Sequence, residues 1–197
     1  MEVPLIYDLF TYGLAREASQ NWFANSVIRP TRGQRLLDIG CGTATILANL
    51  VDVNYVGIDH NAEYIDKARA RFGDKGNFHC IDINDATFND FGTFDIVLLL
   101  GVLHHLQDHE VNTVMQAIPG VLNPDGVMVT FDCSIVSGQH PIARLLAKLD
   151  RGRYARSPEQ YRELLESHFE IETEIVRHDL LKVPYTHAIF RARPKAR

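Results

Sequence analysis

Three stretches of this 197-residue chain carry residue types whose spacing suits chemistry. The first is Leu36-Leu37-Asp38-Ile39-Gly40-Cys41-Gly42, an apolar run that ends on an acid and opens into a two-glycine turn. Glycines there let the backbone turn sharply and come close to a ligand that any Cβ would hold off. The second is a repeat of acidic residues at the ends of apolar runs. Asp59 follows Gly40 by nineteen residues, a spacing that suits a carboxylate accepting from ribose hydroxyls. Asp82 follows in Cys80-Ile81-Asp82-Ile83, where a carboxylate can accept from an adenine amino group with Ile83 against the ring. The third is His104-His105, two imidazoles that titrate near neutral pH and can move protons. His105 and His109 also sit four apart, with Glu110 beside them. No His-Glu-x-x-His pattern or nearby cysteine completes a zinc set, so no metal is expected.

The elements that must position these residues follow from periodicity. Strands are expected at Arg35–Ile39, Tyr55–Ile58, Asn77–Ile81, Phe94–Leu100 and Val127–Asp132, with helices at Thr43–Leu50, Ala62–Arg71 and Asp108–Val121 between them. Alternation of this kind builds a parallel sheet with helices on its faces. Asn123-Pro124-Asp125-Gly126 marks a turn into the fifth strand, and Pro119 should shorten the helix before it. After a helix at Pro158–Phe169 come two strand-like runs, Glu170–Arg177 and His187–Arg193, too closely spaced for a parallel crossover and so expected as an antiparallel hairpin. The expected architecture is a single α/β domain: a Rossmann-like, seven-stranded, mostly parallel sheet with an antiparallel C-terminal hairpin and helices on both faces. Residues 1–30 read as a helical lid, 34–132 as a ligand-binding core, 133–156 as a basic insertion, and 157–197 as the closing helix and hairpin.

Charge divides the chain at the same place. Residues 1–133 hold 8 basic and 17 acidic side chains, and residues 134–197 hold 12 and 8. The total of −5 argues against a protein that tracks nucleic-acid phosphates. Three widely spaced cysteines, Cys41, Cys80 and Cys133, fit neither a disulfide framework nor a zinc knuckle and point to a reducing cytoplasm. No signal peptide or membrane-spanning run is evident, so membrane insertion is not expected.

Taken in register, these stretches resemble the class I methyltransferases that use S-adenosylmethionine. The resemblance covers about residues 34–132. Leu37–Thr43 is similar to their glycine motif, Gly57-Ile58-Asp59 to their ribose motif and Ile81-Asp82-Ile83 to their adenine motif; Phe94–Leu106 looks like their fourth strand and its exit, and Leu122–Gly126 like the turn before the fifth. Two departures stand out: Ala44 where a third glycine is usual, and Asp125 where many members have a second turn glycine. The resemblance implies S-adenosyl-L-methionine as cofactor, contacted by Asp38, Gly40, Cys41, Gly42, Asp59, His60, Asp82, Ile83 and Leu100. It also implies methyl transfer to an O, N or C nucleophile of a small molecule.

Other readings stay open at this level. Asp38 or Asp59 can serve as a helix cap, and Cys41 as a filler of the loop. An NAD-dependent oxidoreductase would use a similar loop, although Thr45 replaces the third glycine of its fingerprint and no Tyr-x-x-x-Lys pair exists. A non-catalytic S-adenosylmethionine-binding module would keep the same motifs. His105 is the candidate base and His104 a candidate substrate contact, against a scaffold role for both. Arginine forks suit carboxylate or phosphate, so Arg151 and Arg153 are candidate contacts to an anionic acceptor, with a solvated helix face as the equal alternative. Tyr7, Tyr12 and Trp22 read either as lid or as aromatic anchors, and the chain as a monomer or homodimer.

Overall fold

The computed structural model describes residues 17–83, 90–149 and 153–195. The aliphatic runs form strands β1 (Arg35–Ile39), β2 (Asn54–Asp59), β3 (Gly76–Cys80), β4 (Phe94–Leu100), β5 (Leu122–Cys133), β6 (Phe169–Arg177) and β7 (His187–Pro194). They hydrogen-bond into one sheet in the order β3-β2-β1-β4-β5-β7-β6. β1 pairs in parallel with both β2 and β4, so strand order reverses between β1 and β4. β7 enters antiparallel between β5 and β6, which is the expected hairpin with its second strand on the inside. A ligand crevice forms at such a reversal, outside the carboxyl ends of the strands.

Helices cover both faces. α1 (Glu17–Trp22) runs on into a π-helical turn, Phe23–Ile28. With α2 (Ala62–Phe72) this segment packs Phe23, Val27, Ile28, Ile65 and Ala68 against Leu36, Leu98 and Val129. On the other face α3 (Asp108–Ala117) and α5 (Pro158–Glu166) pack Val111, Met115, Tyr161 and Leu165 against Leu37, Leu99 and Met128. The period-two alternation of apolar residues along β1 and β4 is what serves both layers. α4 (Pro141–Leu149) lies in the insertion after β5.

The helix expected over Thr43–Leu50 is instead a 3-10 turn, Thr45–Asn49. Ala44 sits left-handed at φ 56°, ψ 37°, so helical backbone starts only at Thr45, and it stops where Leu50 turns extended at φ −87°, ψ 150°. Pro119 acts as expected, ending α3 at Ala117 in a short 3-10 turn, Ile118–Gly120.

Candidate functional site

Gly40 leaves β1 at φ +71°, and a Cβ there would stand 2.6 Å from Val102 Cγ2. The loop can lie against the β4 exit only because position 40 has no side chain. Its first amides, Gly40 N–H and Cys41 N–H, donate to Ile58 O at 2.8 and 2.9 Å. Gly42 N–H donates to Asp59 Oδ2 at 2.9 Å and Asn61 N–H to Asp59 Oδ1 at 2.8 Å. Asp59 therefore ties the glycine loop to the end of β2, while each oxygen keeps acceptor capacity for a ligand hydroxyl. The cap of α2 is Asn61, whose Oδ1 accepts from Glu63 and Tyr64 N–H, so neither Asp38 nor Asp59 caps that helix.

Cys41 fills the space over Gly57, where a Cβ would meet its Sγ at 2.8 Å. Burial, with Asp38 and Asp59 adding to it, pushes the thiol far above its ordinary range, which suits a packing role rather than a nucleophile. Ala44 occupies the left-handed position favoured by glycine, at a cost of roughly 1–2 kcal/mol. Its methyl is fully buried, which offsets part of that cost.

Asp38 is the unusual acid. It is buried, Tyr55 Oη donates to its Oδ2 at 2.5 Å, and Oδ1 has no partner. Burial raises its pKa from 3.8 to about 7, with the Tyr55 bond opposing and the Asp59 charge adding to the rise. Among the described residues no lysine or arginine forms an ion pair with Asp38 or Asp59; His60, mostly exposed, lies 3.6 Å from Asp59. Two buried carboxylates lie beside the glycine loop with no lysine or arginine paired to them among the described residues. S-adenosylmethionine, a sulfonium bearing an ammonium, a carboxylate and ribose hydroxyls, supplies net positive charge and donors, so these residues fit it.

Around them, Leu100 is half-buried at the end of β4, Ile83 is half-buried against the sheet, and Asp82 is exposed beyond β3. At the β4 exit the two histidines diverge. His104 is buried, its Nδ1 lies 2.8 Å from Asp132 Oδ1, and the same oxygen accepts the His104 main-chain N–H at 3.1 Å. His105 is exposed, with its ring centroid 4.2 Å from that of His104. Asp132 is the last residue but one of β5, and its Oδ2 is buried without a partner. This acid was missed by sequence reasoning, although a signal existed: it is one more carboxylate at a parallel strand's end.

The insertion is fastened to this exit by Arg156. Its Nη1 donates to Leu103 O at 2.8 Å, Nη2 to Leu106 O at 2.7 Å, and Nε and Nη2 to Asp108 Oδ1 at 3.0 and 2.6 Å. Tyr154 N–H donates to His104 O at 3.0 Å. Arg156, the last residue of the basic 133–156 insertion, is thus an internal latch. Arg153 is exposed, and Arg151, Tyr7 and Tyr12 lie outside the described residues. Trp22 packs against the sheet, with the Arg177 guanidinium 4.5 Å from its ring centroid, as an aromatic anchor does. Among the described residues no group of three His, Cys, Asp or Glu is placed to hold a metal, and no helix is long and apolar enough to cross a membrane.

A sheet ordered in this way, with a glycine loop and acids at its carboxyl rim, defines the class I S-adenosylmethionine-dependent methyltransferase fold. Residues 37–128 match the methyltransferase-domain family model. It is 30% identical over 113 residues to the O-methyltransferase cnsE of Penicillium expansum, a match covering 53% of this chain and 40% of the relative. In fold it is similar to a crystal structure of a Pyrococcus horikoshii OT3 protein, with TM-score 0.71 and 20% identity across 97% of both chains. It is also similar to the N-methyltransferase NodS of Bradyrhizobium japonicum WM9, solved with S-adenosyl-L-homocysteine, with TM-score 0.68 and 15% identity across 91% of this chain and 85% of that one. The chain spans less than half the length of the curated relatives it matches. The family match retires the NAD-dependent oxidoreductase reading.

Proposed function

We propose that this protein transfers a methyl group from S-adenosylmethionine to an oxygen of a small-molecule acceptor, with His104 as the base. The observation that carries the reading is the His104–Asp132 pair at the exit of β4, beside the strand-order reversal. A sulfonium supplies an already activated methyl group, so the protein's part is to align the acceptor, exclude water and take up the acceptor's proton. Asp38, Gly40, Cys41, Gly42, Asp59, His60, Asp82, Ile83 and Leu100 hold the cofactor in this reading, with Asp38 meeting positive charge and Asp59 meeting hydroxyls. Asp132 accepts from Nδ1–H, so the neutral His104 ring carries its lone pair on Nε2, the nitrogen able to accept a proton. His105, first among the histidines by sequence, is exposed with its ring against that of His104 and serves in this reading as a neighbour at the acceptor side. The curated relative cnsE is an O-methyltransferase by name, which supports oxygen as the receiving atom.

The test is incubation of the full chain with methyl-labelled S-adenosylmethionine and a fractionated small-metabolite extract. Label is expected in an O-methyl product, and the His104→Gln variant should bind S-adenosylhomocysteine normally yet transfer at least about a hundredfold more slowly. Cofactor binding without transfer to any fraction would point instead to the non-catalytic binding module. Label recovered on nitrogen or carbon would overturn the oxygen assignment.

A further inference from the structure

α4 turns its small residues inward and its large ones outward. The buried positions are Ala143 and Ala147, each 2% exposed, whereas Ile142 and Leu145 are 50% and 55% exposed. Among the described residues Val51 is the one other large apolar side chain left so open, so this short helix gathers most of that surface. A single exposed leucine is ordinary, but an adjacent pair on a helix with buried alanines beneath it is a patch. Ile142 and Leu145 stand three residues apart and are neighbours on the helix surface.

Positive charge borders the same patch. Arg144 and Lys148 stand four residues apart in the row beside the apolar pair, and both are exposed, as is Arg153 shortly after the helix. Other arginines that follow β5 have acids: Arg156 meets Asp108, Arg162 meets Glu174, and Arg191 and Arg193 share Glu172. Among the described residues no carboxylate pairs with Arg144, Lys148 or Arg153. The whole chain carries −5, so this cationic strip is a local arrangement that overall composition does not dictate.

An apolar pair bordered by unpaired cations suits a partner that is anionic at its surface and apolar just beneath. Protein interfaces are anchored by aromatic side chains seated in shaped pockets, and α4 carries no aromatic residue. A bilayer asks for no matching shape. Aliphatic side chains enter the acyl boundary, while arginine and lysine lay their stems along it and reach headgroup phosphates. A helix lying in that plane does not have to cross it, and among the described residues no helix is long and apolar enough to do so.

We propose that α4 seats this protein reversibly on an anionic lipid bilayer, with Ile142 and Leu145 in the acyl boundary and Arg144, Lys148 and Arg153 at the headgroups. Each cation held near such a surface strengthens binding roughly fivefold, and salt screens the attraction. The docking does not depend on which molecule receives the methyl group.

Co-sedimentation of the full chain with vesicles of equimolar phosphatidylcholine and phosphatidylglycerol, against phosphatidylcholine alone, tests it. Binding is expected to be at least about tenfold tighter to the anionic vesicles and to weaken as salt rises. Ile142→Ser together with Leu145→Ser should weaken it at least about tenfold, as should Arg144→Gln together with Lys148→Gln. All four positions are exposed, so both double variants should keep the wild-type Tm, which separates lost docking from lost folding. Absence of binding to the anionic vesicles, or binding that survives both double variants, overturns the proposal. If the vesicles stay unbound and the chain sediments as a dimer that Leu145→Ser dissociates, the face belongs to a second copy instead.

Discussion

His104 and Asp132 meet through Nδ1 and Oδ1 at 2.8 Å, and that one carboxylate oxygen also receives the His104 main-chain N–H. Ring and backbone are thereby fixed by a strand rather than by the loop that carries the histidine. The carboxylate sets the tautomer, because it accepts from Nδ1–H and leaves Nε2 basic. Nitrogen NMR should find neutral His104 protonated on Nδ1, and Asp132→Asn should move the population toward Nε2–H. Methyl transfer in Asp132→Asn should fall by about 10²–10⁴ in kcat with little change in S-adenosylhomocysteine affinity. An unchanged kcat would remove His104 from the chemistry.

Arg156 supports the same exit from the other side. Its guanidinium serves three carbonyls, those of Leu103, Leu106 and Tyr154, and one carboxylate at once, a geometry that a lysine's single ammonium cannot reproduce. Arg156→Lys should lower unfolding free energy by roughly 2–4 kcal/mol, since Leu103 O or Leu106 O loses its donor in a part-buried site. Urea denaturation measures this, and a loss below about 0.5 kcal/mol would mean the latch is dispensable.

Asp38 makes stability depend on pH with a definite sign. Its folded pKa of about 7 stands above the ordinary 3.8, so the native state holds this proton more tightly than the unfolded chain does. The stability it contributes is full below about pH 4 and is lost as pH rises through about 7. Wild type should lose up to about 4 kcal/mol relative to Asp38→Asn across that window in paired urea titrations. A bound cation reverses the balance by favouring the carboxylate. Calorimetry of S-adenosylmethionine binding near pH 6, in buffers of different ionisation enthalpy, should therefore detect proton release in wild type and none in Asp38→Asn.

Most of the sheet was legible because its strands are local patterns: aliphatic runs, a Pro-Asp-Gly turn before β5, and two strands too close together to be parallel. The cofactor-side acids were legible for the same reason, since each terminates such a run. What escaped depends on contacts between distant segments. Nothing adjacent to Tyr55 marks it as the partner of Asp38, seventeen residues away. Arg156 looked like one more basic residue of the insertion, because charge composition does not reveal which guanidinium turns inward to carbonyls some fifty residues earlier. The failed helix after the glycine loop was a conformational surprise. Helical backbone is confined between a left-handed Ala44 and an extended Leu50, and φ at Ala44 is set by the loop around it.

That loop offers a cycle with two parts that separate. Gly40→Ala adds a methyl 2.6 Å from Val102 Cγ2 and places alanine at φ +71°, so it meets both a steric and a backbone penalty. Val102→Ala removes the methyl that would be struck and leaves the backbone penalty of roughly 1–2 kcal/mol in place. Gly40→Ala alone should weaken S-adenosylhomocysteine binding at least about tenfold and lower Tm. The double variant should recover part of the Tm loss, with a coupling of about 0.5–3 kcal/mol between the two sites. Additive single effects would mean that the loop yields away from Val102, and that close contact between the glycine turn and the β4 exit does not shape the cofactor site.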